Sequence, residues 1–208
     1  MTAAWTVPVL WPGDTVVCIA SGPSLTVEDV NYVRGRARVI VVNDNYLRAP
    51  WADVLYFCDS KWWQWHKARS EYLAFAGIKA TLAEDVVKHE PGVRWLRNGG
   101  GEGLSDRPDE LKTGSNSGFQ AINLAVLLGA KRIVLLGYDM KIGPKGERHW
   151  FGRHPQCVIE APALAQFAKR FDSLVGPLKK RGIEVLNASR DTDLTQFRRV
   201  KLVDALPA

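Results

Sequence analysis

TGSNSGFQAINLAVLLGAKRIVLLGYD, residues 113–139, is the stretch that decides the fold. It opens with small polar residues of the kind that accept hydrogen bonds from the unpaired N–H groups at a helix start. The apolar positions of residues 119–128 then fall nearly all round a helix, and Gly129 stands where helices commonly end. Residues 133–136 are β-branched or leucine, which is typical of a strand covered on both faces. The pattern predicts a buried helix followed by a buried strand.

The start of this helix is also a candidate anion site. Free N–H groups and the positive end of the helix dipole together favour a phosphate. Asp139 follows the next strand and is a further candidate for substrate binding. The alternative is that the polar residues only cap the helix. The candidate residues at the helix start are Ser115, Asn116, Ser117 and Gly118.

Composition indicates one globular domain spanning residues 1–208, with 46% hydrophobic and 24% charged residues. No apolar run reaches the roughly 18 residues of a membrane helix, and the N-terminus lacks a signal-peptide pattern. We therefore expect a cytoplasmic protein without a membrane span. Cys18, Cys58 and Cys157 form neither a metal-ligand pattern nor a disulfide framework.

The formal net charge of +6 favours an anionic partner. A nucleotide, a phosphorylated acceptor or nucleic acid would fit, although no recognised nucleic-acid-binding motif is present. The sequence leaves the acceptor and the oligomeric state open.

Strands alternate with helices along the chain, which predicts an α/β domain with a mostly parallel sheet and helices on both faces. We expect residues 1–13 to be an irregular lead-in, residues 98–112 and 140–156 to be mobile loops, and residues 193–206 to form a final helix or helical turn. Strands are predicted at residues 15–20, 38–42, 54–58, 78–82, 133–136 and 184–187, and helices at residues 61–75, 119–128 and 161–180, with a further helix starting after Thr26.

A turn of small residues follows the first strand and precedes a helix. Backbone amides and a helix dipole hold phosphate in this strand–turn–helix geometry. The turn matches neither the dinucleotide fingerprint nor the P-loop, so its spacing alone is a weak signal. Its candidate donor-binding residues are Ser21, Gly22, Pro23 and Ser24.

Polar residues also follow the next two strands. Asn43 and Asn45 come after the second strand, and Asp59 comes after the third. Because ligands of open α/β sheets bind outside the carboxyl ends of strands, these side chains are candidates for ribose or base contacts. The alternative is that they form turns, where asparagine and aspartate are common in any protein.

The loop after Asp139 carries the largest group of chemically active side chains. His149 and His154 are candidates for general base or acid, because histidine titrates near neutral pH. Lys145, Arg148 and Arg153 would neutralise a phosphate leaving group. The alternative is a solvated basic loop. The histidines have no cysteine partners, so we predict no zinc site.

Taken together, these residues resemble a known family. IASGPSL at residues 19–25, Asn43, the turn at residues 113–118 and LGYD at residues 136–139 follow the family's order. The set is similar to the DUF115 (MptE-like) proteins and the related bacterial sialyltransferases of glycosyltransferase family 42. The tail at residues 187–197 and the HWF at residues 149–151 are most similar to small phage and prophage members.

The resemblance implies a Rossmann-like nucleotide-binding domain. In the sialyltransferases the corresponding turns and strand-end asparagines bind a cytidine nucleotide donor, which carries over to Gly22, Pro23, Ser24, Asn43, Ser117 and Gly118. Those enzymes need no metal and use a loop histidine as base, of which His149 is the nearest analogue, at a shorter spacing from Asp139. The archaeal members instead transfer diphosphate from ATP to a pterin alcohol with magnesium, for which Asp44, Asp59 and Asp139 would be the carboxylates to test.

Three hypotheses follow. The first is a transferase that moves a sugar from a nucleotide-activated donor to an acceptor hydroxyl, with no certain cofactor. The second is Mg²⁺-dependent diphosphate transfer from ATP. The third is a phage protein that binds a nucleotide without catalysis, in the cytoplasm of a bacterial host.

Overall fold

The computed structural model describes residues 3–152 and 160–206. Within them, eight parallel strands form the main sheet, in the order β10-β9-β8-β1-β2-β3-β4-β5, while β6 and β7 form a separate parallel pair. The strands are β1 (Thr15–Ile19), β2 (Arg38–Val42), β3 (Val54–Phe57), β4 (Ile78–Thr81), β5 (Arg94–Trp95), β6 (Arg97–Asn98), β7 (Glu110–Leu111), β8 (Arg132–Leu136), β9 (Glu184–Asn187) and β10 (Arg198–Arg199).

Helices connect the strands and cover both faces of the sheet. None of the helices in the described ranges is long and apolar enough to cross a membrane. The helices are α1 (Val27–Val33), the 3₁₀ helix Asn43–Leu47, α2 (Ser60–His66), α3 (Ser70–Leu73), α4 (Glu84–Val87), α5 (Ser117–Leu127), α6 (Ala161–Arg170), α7 (Asp172–Lys180) and α8 (Leu202–Ala205).

The sheet is buried on both faces because alternate residues of each strand point into different apolar layers. Cys18 of β1 packs in the layer that contains α5, whereas Ile19 packs in the layer that contains α1. All four residues from Val16 to Ile19 are fully buried. The predicted α/β, Rossmann-like single domain with a mostly parallel sheet is confirmed.

The predicted helix and strand of residues 113–139 are both present. α5 begins at Ser117, and the side chain of Asn116 caps it by accepting a hydrogen bond from the Phe119 amide at 3.0 Å. Gly129 adopts a φ of +104° just after the helix, a conformation that favours glycine. β8 follows and pairs with β1.

Two predicted long helices are wrong, because each is broken into two. Residues 61–75 divide into α2 and α3, which lets Trp63 Nε1 and Tyr72 Oη both donate to Glu90 Oε2, at 2.8 and 2.9 Å. Residues 161–180 divide into α6 and α7 at Phe171, whose fully buried ring meets Phe119 edge-on. In both cases burial of an aromatic side chain overrides a continuous helical pattern.

The predicted final helix or helical turn of residues 193–206 is confirmed in part, because the one-turn helix α8 lies within this range but a strand precedes it. Residues 198–199 form β10, which extends the sheet beside β9, and the short helix α8 follows. Two residues of strand are too short for alternation to be visible in a sequence.

The other connecting segments have defined contacts. Residues 3–13 contain no helix or strand, but Val7 and Trp11 are buried. The amides of Ser105 and Lys112 both donate to Asn123 Oδ1, which ties the segment 98–112 to α5. Mobility of residues 98–112 and 140–156 stays a prediction, and residues 153–156 lie outside the described ranges.

Candidate active site

The candidate site lies where the chain order of the sheet reverses. β1 has β2 on one side and β8 on the other, with α1 in one apolar layer and α5 in the opposite layer. In open α/β sheets this reversal leaves a crevice outside the carboxyl ends of the strands. The segments that follow β1, β2, β3 and β8 meet at this edge, which we call the carboxyl edge.

Two glycines allow the segments after β1 and β8 to come into contact. The Gly22 amide donates to the Gly137 carbonyl at 2.8 Å. A Cβ on Gly22 would lie 2.3 Å from Asp139 Oδ1 and 2.6 Å from the Gly137 oxygen. Gly137 has a φ of +68°, and a Cβ there would lie 2.3 Å from the Ala20 oxygen. Larger residues at either position would push the two segments apart.

Asp139 holds the turn that follows β1. Its carboxylate accepts a hydrogen bond from the Ser24 amide at 2.7 Å and another from the Ser24 hydroxyl at 2.9 Å. Asp139 is 2% exposed, and this burial raises the pKa of its carboxyl to about 6, although the two bonds from Ser24 act in the opposite direction. Ser24 and Asp139 are therefore brought together, each as a partner of the other.

Asn45 joins three segments of the edge. Its Nδ2 donates to the carbonyls of Ile19 and Val42 and to Ser21 Oγ, over 2.9 to 3.2 Å. Its Oδ1 accepts a hydrogen bond from Trp150 Nε1 at 2.9 Å. Asn45 is fully buried, so its side chain positions the neighbouring turns and is not exposed to a ligand.

Trp150 attaches the basic loop to this edge. Its amide donates to the Ser21 carbonyl at 3.1 Å, and the Arg48 guanidinium lies 3.7 Å from the centre of its ring. Sequence reasoning missed both Trp150 and Arg48 as site residues. The sequence did contain one signal for Trp150, because it stands between two other residues with aromatic rings, His149 and Phe151.

The first turn of α5 lies across the ends of the central strands. Ser117 Oγ donates to Cys58 Sγ after β3 at 3.3 Å, while the Gly118 carbonyl accepts a hydrogen bond from Tyr138 Oη after β8 at 3.0 Å. The backbone N–H groups of Ser117 and Gly118 have no acceptor within residues 3–152 and 160–206. An α-helix start with unpaired N–H groups favours an anion.

Three residues other than glycine adopt left-handed backbone conformations in the described ranges. Asn43, Ser115 and Met140 have φ values of 52°, 53° and 52°. This conformation costs an L-residue on the order of 1 kcal/mol, least for asparagine. All three lie at the carboxyl edge, after β2, before α5 and after β8. Concentration of strained backbone at one edge is typical of a functional site.

The remaining candidates at this edge differ in exposure. Ser115 and Asp59 are exposed, and Pro23 and Asn43 are partly buried. The Asn43 side chain has no hydrogen-bond partner among the residues that the structure describes. Burial raises the pKa of the Cys58 thiol to about 12, so this cysteine stays protonated and is not a nucleophile.

The structure describes part of the basic loop. His149 stacks on Phe151 with a ring separation of 4.9 Å, and Arg148 pairs with Glu160 at 3.3 Å. Lys145 is exposed. His149 directly precedes Trp150 and is therefore held beside the carboxyl edge. His154 and Arg153 lie outside the described residues.

The carboxylates considered for magnesium do not form a site. Asp44 Oδ2 accepts a hydrogen bond from Trp62 Nε1 at 2.9 Å, and its Oδ1 lies 3.5 Å from His66 Nε2. Both oxygens of Asp139 are bonded to Ser24. Across the described part of the chain, no three His, Cys, Asp or Glu side chains are grouped as metal ligands. Magnesium at these residues would require the existing bonds to break.

Comparison with solved structures identifies the class of fold. The MAf glycosyltransferase from Magnetospirillum magneticum AMB-1 aligns with a TM-score of 0.64 and 13% identity, over 96% of this chain and 35% of that chain. The sialyltransferase CstII from Campylobacter jejuni, in complex with the substrate analogue cytidine-5'-monophosphate, aligns with a TM-score of 0.57 and 12% identity, over 91% of this chain and 85% of that chain.

The protein therefore has a Rossmann-like fold of the glycosyltransferase type, and it spans about a third of the length of the MAf enzyme. No protein-family model matches the sequence. A search of curated proteins found no match either. At these levels of identity the likeness concerns the fold, and function has to be argued from the site.

Proposed function

We propose that this protein transfers a sugar from a nucleotide-activated donor to an acceptor hydroxyl. The observation that carries the proposal is the open start of α5, where the N–H groups of Ser117 and Gly118 lie unpaired at the edge that also contains the three left-handed residues. The likeness to two glycosyltransferases adds support, because one of them was solved with cytidine-5'-monophosphate.

The donor phosphate would bind at the start of α5. The N–H groups of Ser117 and Gly118 supply hydrogen bonds there, and the exposed hydroxyl of Ser115 adds a third donor. The hydroxyl of Ser21 accepts from Asn45 and keeps its own hydrogen for a phosphate oxygen. Asn43, whose amide has no partner in the described ranges, is the candidate for ribose or base.

Other predicted binding residues act indirectly in this proposal. Ser24 and Asp139 bond to each other, and Asn45 bonds to Ser21 and Trp150. These contacts fix the turn after β1 before a ligand arrives. A preorganised turn binds more tightly because less conformational freedom is lost on binding.

The reaction would be a displacement at the sugar carbon that carries the nucleotide. The acceptor oxygen forms a bond to that carbon, and the bond to the phosphate oxygen breaks with its electron pair leaving on the nucleotide. His149 takes the proton of the acceptor hydroxyl as general base. Lys145, which is exposed, offsets the charge of the departing phosphate, and Arg148 would do so by exchanging its pair with Glu160 for the phosphate. His154 and Arg153 stay predictions.

A direct test measures nucleotide binding and donor turnover separately. A thermal-shift panel of nucleotides and nucleotide sugars identifies a ligand, because binding to the native state raises its stability. With that donor, His149→Ala should lower turnover by about 100-fold or more, with the thermal shift unchanged.

His89→Ala is the matched control, since His89 is an exposed histidine that stacks on Trp63. Turnover should also survive in chelator. Unchanged turnover in His149→Ala would remove this residue from the mechanism, and a panel without any thermal shift would contradict the proposal. Membership of the DUF115 group and a phage origin stay predictions.

A further inference from the structure

A groove of about 690 Å³ lies beside the candidate site, between α1 and the C-terminal segment. Tyr32 of α1 lines the groove together with Val200 and Leu202 of the C-terminal segment. Ser189, which follows β9, also lines the groove and is 2% exposed. This volume lies within the range of small-molecule sites, roughly 300 to 1,000 Å³.

The charges along this groove favour an anionic ligand. Asp29 is already neutralised by Arg190, whose guanidinium bonds both carboxylate oxygens at 2.6 and 3.0 Å. Arg199 donates to the Arg190 carbonyl and keeps its charge, and Lys201 has no carboxylate partner in the described ranges. Among the described residues that line the groove, the exposed carboxylate of Glu28 is the one acid left to oppose these two cations. The lining therefore offers an excess positive charge beside an apolar wall.

The groove is connected directly to the turn that holds the candidate donor site. Ser189 Oγ accepts a hydrogen bond from the Tyr138 amide at 2.9 Å, next to Asp139. The Asp191 amide donates to Ser24 Oγ at 3.3 Å. Arg190, between these two residues, lines the groove. Arg190 is therefore flanked by two residues that bond to the segments after β8 and β1, so a molecule bound against Arg190 would lie next to both segments.

We propose that this groove binds the acceptor, and that the acceptor is a sugar carrying a phosphate or carboxylate group. This inference rests on the proposed transfer reaction. The anionic group pairs with Arg199 and Lys201, and the apolar face of the sugar ring packs against Tyr32 and Val200. A free hydroxyl of the same sugar is directed to the donor site beyond Ser24.

Titration calorimetry at 150 mM salt tests the inference by comparing the affinities of glucose 6-phosphate, glucose and inorganic phosphate. Amide NMR then locates the residues that each ligand contacts. Glucose 6-phosphate should bind most tightly and should shift the amides of Ser189 and Lys201. Lys201→Ala should weaken its binding about two- to fivefold, as loss of one exposed charged contact does. Lys88→Ala is the matched control, because Lys88 is exposed and lines neither groove nor carboxyl edge.

Equal binding of glucose and glucose 6-phosphate, or an unchanged affinity in Lys201→Ala, would overturn the inference. Inorganic phosphate binding as tightly as glucose 6-phosphate would overturn the assignment to a sugar. The thermal-shift panel of nucleotides distinguishes failure of this inference from failure of the proposed function. Nucleotide binding without sugar phosphate binding removes the groove alone, whereas sugar phosphate binding without nucleotide binding removes the transfer reaction and the acceptor role with it.

Discussion

Replacing Asp139 with asparagine should stabilise the folded protein at neutral pH and leave it unchanged in acid. Burial raises the pKa of this carboxyl from 3.8 to about 6 in the folded chain. Between these two pH values the folded state binds more protons than the unfolded state, so the free energy of unfolding falls as pH rises. The contribution of Asp139 is therefore most favourable below pH 3.8 and is lost as pH passes 6.

The size of the effect follows from the same two values. A pKa difference of about two corresponds to about 3 kcal/mol, because a difference of one in pKa is equivalent to about 1.4 kcal/mol. Asparagine has the same shape, its Oδ1 can accept from the Ser24 amide, and its Nδ2 can donate to the Ser24 hydroxyl. Asp139→Asn should thus raise the free energy of unfolding by up to about 3 kcal/mol at pH 7, with the gain disappearing near pH 4.

Urea unfolding at pH 4.0, 5.0, 6.0 and 7.0 measures this difference for the wild type and Asp139→Asn. Asp204→Asn serves as control, since Asp204 is exposed on α8 and its replacement should change the free energy of unfolding little. If Asp139→Asn changed the free energy of unfolding by the same amount at pH 7 as at pH 4, the argument would be refuted, because the buried carboxylate would then not be unfavourable.

Gly22→Ala should lower the free energy of unfolding by about 3 kcal/mol, from overpacking against Asp139 and loss of a hydrogen bond between Ser24 and the Asp139 carboxylate. Gly92→Ala should change it little, because none of the described residues other than its chain neighbours lies within 4 Å of the new Cβ. Urea unfolding compares the two variants, and equal stabilities would contradict the close contact between Gly22 and Asp139. Trp150→Phe should cost about 1 to 2 kcal/mol by leaving the buried oxygen of Asn45 without a donor. The variant should also speed proteolysis within residues 140–152, and an unchanged cleavage rate would show that this bond does not hold the loop.

The central strands and α5 could be predicted because their signals are local. A run such as Ile133–Leu136 is buried on both faces, and the helix predicted after Thr26 does start there, with Thr26 and Asp29 forming a capping box. The two-residue strands β5 and β10 could not be predicted, since they exist only through pairing with β4 and β9, which sequence patterns do not reveal.

The roles of the candidate site residues could be predicted even less well, because they also depend on partners far apart in the sequence. Sequence reasoning placed Asn45 and Asp139 at strand ends, which is where they lie, and treated both as ligand contacts. Whether a polar side chain at a strand end is open or bonded depends on its partner, and the partner of Asn45 is Trp150, 105 positions along the chain. Spacing along the sequence carries no information on such a contact, so the distinction needs three-dimensional structure.

The central claim is that the turn after β1 and the start of α5 bind one nucleotide phosphate together. An amide NMR titration of the ¹⁵N-labelled protein with cytidine, uridine, adenosine and guanosine monophosphates tests it most directly. We predict that one of these shifts the amides of Ser21, Gly22, Ser117 and Gly118 with a single dissociation constant, while those of Arg36 and Gly92 do not move. Shifts at only one of the two segments, or at neither under saturating nucleotide, would contradict the claim.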